Sequence, residues 1–115
     1  MVLEILFVLL LGPPKQPARA VLSVSPHITN VMQAAREGIR ATLTIEPDER
    51  NRVACLIWEG DNEAGNHCWE FNEIPFPRTT NFYVKLHTLG HYEFVLILQA
   101  TDKRIQTASQ SVEVY

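Results

Sequence analysis

The chain has 115 residues, close to half of them apolar, a formal net charge of −3 and no basic run. That length fits one domain with one core, and the charge balance argues against nucleic acid or an anionic membrane as the main partner. With residues 1–20 set aside, 8 basic and 12 acidic side chains remain, so the acidic excess belongs to the rest of the chain.

The first segment holds the apolar run Ile5 to Leu11, followed by Pro13-Pro14-Lys15-Gln16-Pro17 and then Ala18-Arg19-Ala20. Seven apolar residues are too few to cross a bilayer, which takes about 20. A short apolar stretch before a small-x-small site reads as a signal peptide over residues 1–20, cleaved after Ala20. Its start, Met1-Val2-Leu3-Glu4, lacks the usual basic residue, and a buried first strand is the alternative. The folded domain is expected over 21–115, with no membrane span once the leader is removed.

Val21 to Ser25 reads as a strand that ends at Pro26, because proline is confined to strand ends and edges. Val31 to Arg36 allows a helical turn before Gly38, but a plain link into the next strand is the preferred reading. Ile39, Ala41, Leu43 and Ile45 alternate with polar residues, which is a strand with one wet face. Val53 to Trp58 is apolar at every position and predicts a strand buried on both faces. Gly60 to Gly65 is a hairpin loop, and His67 to Asn72 returns from it. Ile74-Pro75-Phe76-Pro77 is a rigid extended crossing. Thr80, Phe82, Val84 and Leu86 share one face of a further strand. Tyr92 to Gln99 is apolar on both faces in its middle, the mark of a central strand. The last strand ends at Ser111 to Tyr115. About seven strands at ten-residue spacing, with no convincing helix, predict an all-β antiparallel sandwich.

The segment Leu86-x-x-Leu89-Gly90-x-Tyr92 resembles the tyrosine corner of immunoglobulin-like and fibronectin type III-like sandwiches. There a tyrosine hydroxyl bonds back to backbone a few residues upstream. The resemblance implies structural roles for Leu86, Leu89, Gly90 and Tyr92, and an immunoglobulin-like fold over about residues 21–115. Antibody domains carry a disulfide cysteine two residues after the corner tyrosine. Here that position is Phe94, so an antibody-type inter-sheet bridge is not expected.

A hairpin turning at Asp61-Asn62 sets Trp58 opposite Gly65 and Cys55 opposite Cys68. Opposed residues are close enough to bridge, and an even cysteine count in an exported chain favours a disulfide. A one-residue slip would put the two on opposite faces and leave free thiols. The acidic group Glu59, Asp61 and Glu63 lacks the regular spacing of calcium loops. His87 and His91 flank the corner, where they could approach each other; solvated loop histidines are the plainer reading. No nucleophile elbow, phosphate-cradling glycine loop or metal-protease helix occurs, so no enzyme, cofactor or metal is expected. Trp58, Trp69 and Tyr83 are candidate binding aromatics, although core packing is the expectation for at least one indole. The reading is a secreted or periplasmic, bacterial, non-catalytic module for protein contact or structure. The alternative is a glycan-binding module that uses Trp58, Trp69 or Tyr83 as a stacking platform.

Overall fold

The computed structural model describes residues 19–71 and 78–115, so the crossing at Ile74 to Pro77 and nearly all of the expected leader lie outside the described residues. Its elements in chain order are β1 (Ala20–Ser25), β2 (Ile28–Thr29), a short helix α1 (Val31–Arg36), β3 (Ile39–Ile45) and β4 (Asn51–Glu59). Then come β5 (Ala64–Glu70), β6 (Thr79–Val84), β7 (Gly90–Ala100) and β8 (Ile105–Val114). β1 begins at Ala20, which is buried and paired with Ile45. A cut after Ala20 would therefore remove one residue of the sheet.

Two sheets form. One has the order β1-β3-β6 and the other β2-β8-β7-β4-β5. At the cis Ser25–Pro26 peptide the chain passes from the first sheet to the second, where β2 runs parallel to β8. The remaining pairs are antiparallel. This is the strand order of an immunoglobulin-like sandwich, with β8, β7 and β4 at the centre of the larger sheet and β5 at its edge. Nothing in it singles out fibronectin type III.

The core follows from period-two alternation. Ile39, Ala41, Leu43 and Ile45 turn inward from the small sheet, and Tyr92, Phe94, Leu96 and Leu98 turn inward from the large one. Several of these are fully buried, and each such side chain contributes about 1.5–3 kcal/mol of transfer free energy.

Two expectations need correction. Residues 31–36 form a helix, not a plain link. Asn30 caps it by accepting a hydrogen bond from the Gln33 N–H, and Gly38 ends it at φ +80° with its own N–H on the Gln33 carbonyl. Ala34, on the inward side of α1, is buried, and its carbonyl accepts from the Leu86 N–H. The second correction concerns β4, expected to be buried on both faces; β7, expected to be a central strand, is one, lying between β8 and β4. Only one face of each is covered. Val53, Cys55 and Ile57 of β4, with Val95 and Ile97 of β7, are half-exposed on the outside of the large sheet.

Candidate functional site

The corner before β7 is built from four residues, one of them from a distant loop. The Tyr92 hydroxyl donates to the Thr88 carbonyl oxygen (2.7 Å) and lies 3.1 Å from Glu63 Oε1. It also makes a close contact with Thr88 Oγ1. Glu63 reaches back from the β4–β5 loop and accepts from the N–H groups of His87 (2.8 Å) and Thr88 (3.2 Å). His87 Nδ1 donates to its second oxygen at 3.2 Å. Leu86 is buried, Leu89 is exposed, and Gly90 takes φ +135°, a value that side-chain-bearing residues rarely adopt.

Glu63 was legible in the sequence only as part of a solvated loop tip. In the fold it is withdrawn from that tip and serves as an anion for two adjacent backbone donors. Burial pushes its carboxyl upward, but hydrogen bonds from the His87 backbone and ring, Tyr92 and Thr88 outweigh that and hold it below the ordinary carboxylate range. A depressed carboxyl stabilises the fold above the unfolded-state value, about 4.3, and the contribution fades as pH falls through the lower folded value. Glu63→Gln is thus expected to cost about 1 kcal/mol near neutral pH. Urea unfolding at a series of pH values should show the gap between the two proteins closing below about pH 4. A gap that stays constant into strong acid would remove Glu63 from this role.

His87 and His91 do not meet. His87 engages Glu63, whereas His91 lies between Glu113 and Glu93, the latter at 2.6 Å. Those bonds, Glu113 first, raise the His91 imidazole above its ordinary value. The Ser111 hydroxyl, 2.7 Å away, joins His91 in lowering the Glu93 carboxyl. The group is a surface ion-pair network at one end of the large sheet. Among the described residues no cluster of three or more His, Cys, Asp or Glu is placed to hold a metal.

The hairpin register is Trp58 with Gly65 and Cys55 with Cys68, and the two cysteines form a disulfide with their Cα atoms 4.0 Å apart. The bridge lies within one sheet, on its outer face.

The candidate aromatics do not form one platform. Trp58 and Trp69 are half-buried and turn into the sandwich. There Trp58 packs 6.2 Å from Phe82 and 6.5 Å from Phe94, and Trp69 stands edge-on to Phe82 at 5.4 Å. Tyr83 is exposed, but it sits on the outside of the small sheet, opposite Arg40. Sugar stacking needs coplanar faces on one surface, and these three are divided between two.

What the large sheet does present is its uncovered outer face. The register aligns Ile57 with Val95, and Cys55 with Ile97. This apolar strip is bordered by Glu59, Glu70 and Glu93, with Glu113 beyond. Glu59 and Glu93 stand directly opposite each other across β4 and β7, an arrangement of like charges that is unfavourable unless compensated.

No protein-family model matches the chain, and no curated protein matches it. Among solved structures it is similar to that of murine CRIg, at 12% identity and a TM-score of 0.40, spanning 84% of this chain and 96% of that one. The immunoglobulin-like assignment rests on the strand order and register described above.

Proposed function

We propose that the chain is an exported, non-catalytic immunoglobulin-like module that binds a protein through the outer face of its large sheet. One observation carries the reading: β4 and β7 are apolar on both faces in their middle, and the outer residues Val53, Cys55, Ile57, Val95 and Ile97 are only half-buried, whereas the inner ones are buried in the core. Exposed contiguous apolar surface rimmed by polar groups is characteristic of protein-contact sites. The rim specifies the occupant. With Glu59, Glu70 and the Glu93–His91–Glu113 group around the strip, carboxylates outnumber cations on the rim, and a second copy would bring acid against acid. A partner with an apolar centre and a basic rim complements it. The disulfide supports an oxidising compartment, secreted or periplasmic.

The test places a photo-crosslinking residue at Ile57, and separately at Thr42 on the outside of the small sheet, in the protein as made by its own source. The expected result is a saturable adduct with one protein from position 57 and none from position 42. Adding Val95→Lys should weaken it on the order of tenfold. An absence of adduct, or equal yields from both faces, overturns the proposal. An adduct that disappears after enzymatic deglycosylation would transfer the site to a glycan.

A further inference from the structure

The two sulfurs of the disulfide are not equally approachable. Cys68 is exposed, and β5 is the last strand of its sheet, paired among the described residues only with β4. Cys55 is half-buried on β4, which has β5 on one side and β7 on the other. The register sets Ile97 of β7 directly beside Cys55, on the side away from Cys68.

Thiol–disulfide exchange is a displacement in which a thiolate attacks one sulfur and the other leaves. The attacking sulfur approaches in line, from the side opposite the leaving sulfur. The bridge runs from strand to strand, so its axis lies across the sheet. Attack on Cys68 Sγ arrives over the edge of β5, where no further strand pairs among the described residues. Attack on Cys55 Sγ must arrive through the place held by the Ile97 side chain. The leaving groups differ as well, but access decides, because Ile97 stands beside Cys55 on its line of approach, whereas among the described residues no strand stands beyond Cys68.

We infer that Cys68 is a thiol-exchange site, the sulfur at which an external thiolate opens the bridge. A new S–S bond forms between the attacking sulfur and Cys68 Sγ, and the Cys55–Cys68 bond breaks. Its electron pair leaves on Cys55 as a thiolate, which takes up a proton from water. One disulfide replaces another, so no oxidant or reductant is consumed. The hairpin pairs from Val53–Glu70 to Glu59–Ala64 keep Cys55 opposite Cys68, so Cys55 returns the attack and expels the external thiol when that thiol becomes scarce. The attacking thiolate can come from a small thiol or from a protein cysteine, since both share the chemistry.

The full oxidised chain is incubated with reduced glutathione, and in a second arm with a reduced thioredoxin whose resolving cysteine is replaced by serine. Acid quench, alkylation and peptide mapping then locate each adduct. The expected result is an adduct on Cys68 with the free thiol on Cys55. Formation should be first order in thiolate and unchanged by low urea, which separates exchange in the folded protein from exchange through unfolding. An adduct in only one arm identifies the source and still supports the site. An adduct on Cys55, equal labelling of both cysteines, a rate limited by unfolding, or no adduct in either arm overturns it. Ile97→Ala gives a second measure that leaves both cysteines in place. It should raise the share of adduct on Cys55 on the order of tenfold, and an unchanged share would refute the role given to Ile97.

Discussion

Replacing Cys55 and Cys68 together by alanine is expected to lower the free energy of unfolding by about 3 kcal/mol. The residues are 13 apart in sequence, and in the chain-entropy argument the bridge acts by removing that loop's freedom from the unfolded chain. Packing contributes little to the loss, because Cys55 is only half-buried and Cys68 is exposed. Against a total of about 5–15 kcal/mol for a domain of this kind, the change is large. Guanidinium unfolding measures it, and the slope of the transition should rise as the untied denatured chain expands. The position of the bridge makes a further demand. It joins neighbouring strands of one sheet, so it does not clamp the two sheets together. That task falls to Ile39 and Leu43 facing Phe94, Leu96 and their neighbours in the core. Amide exchange should therefore quicken most in β5 and least in the centre of β7. A loss below about 1 kcal/mol would mean that the β4–β5 hairpin survives in the denatured chain and is constrained there without the bridge.

The features legible in the sequence share one property: they are set by neighbours along a strand or across one turn. The alternation of Ile39 to Ile45, the hairpin register that brings Cys55 to Cys68, and the aromatic start of the strand at Tyr92 are all of that kind. What escaped depends on contacts between distant segments. α1 is six residues long, and helices under about 12 residues are too marginal to announce themselves by propensity. Its N-cap at Asn30, its C-cap at Glu37 followed by the left-handed Gly38, and its packing through Ala34 carry it. Glu63 lies 24 residues before His87, and no spacing rule links a hairpin loop to a corner on another strand. The uncovered face of β4 and β7 escaped for a different reason. An apolar run on both faces of a strand predicts cover on both sides, whereas here the second cover is not among the described residues. The same mismatch supplies the argument for a partner. The indoles follow the hairpin register: with Cys55 outward, Trp58 and Trp69 must point inward, so the outward sulfur excludes the outward aromatic platform.

Gly60→Ala is expected to destabilise the fold by about 1–3 kcal/mol, although the residue sits in a loop that the sequence presents as soluble and tolerant. A Cβ built there would lie 2.5 Å from Tyr92 Cε2 and 2.7 Å from Cδ2. Gly60 needs no left-handed backbone, so the effect is one of volume alone. The ring it would strike has no room to yield: Tyr92 is fully buried, and its hydroxyl is held by Thr88 and Glu63. Gly65 offers the useful contrast. Its added methyl would meet Trp58 at 2.4 Å, an even closer approach, but that indole is half-buried where the Tyr92 ring is fully buried. Gly65→Ala should cost less despite the shorter distance. A double-mutant cycle separates the ring contact from any effect on the loop itself. In a Tyr92→Leu background the colliding ring atoms are gone, and Gly60→Ala should become nearly neutral, a coupling of about 1–2 kcal/mol. Additive losses would show that the loop, not the ring, resents the methyl. Because the Gly60 N–H donates to the Glu63 carbonyl, a displaced Gly60 also pulls Glu63 from the corner. The Gly60→Ala protein should then show the flattened acid limb expected of Glu63→Gln, a shared signature that a general loss of packing would not produce.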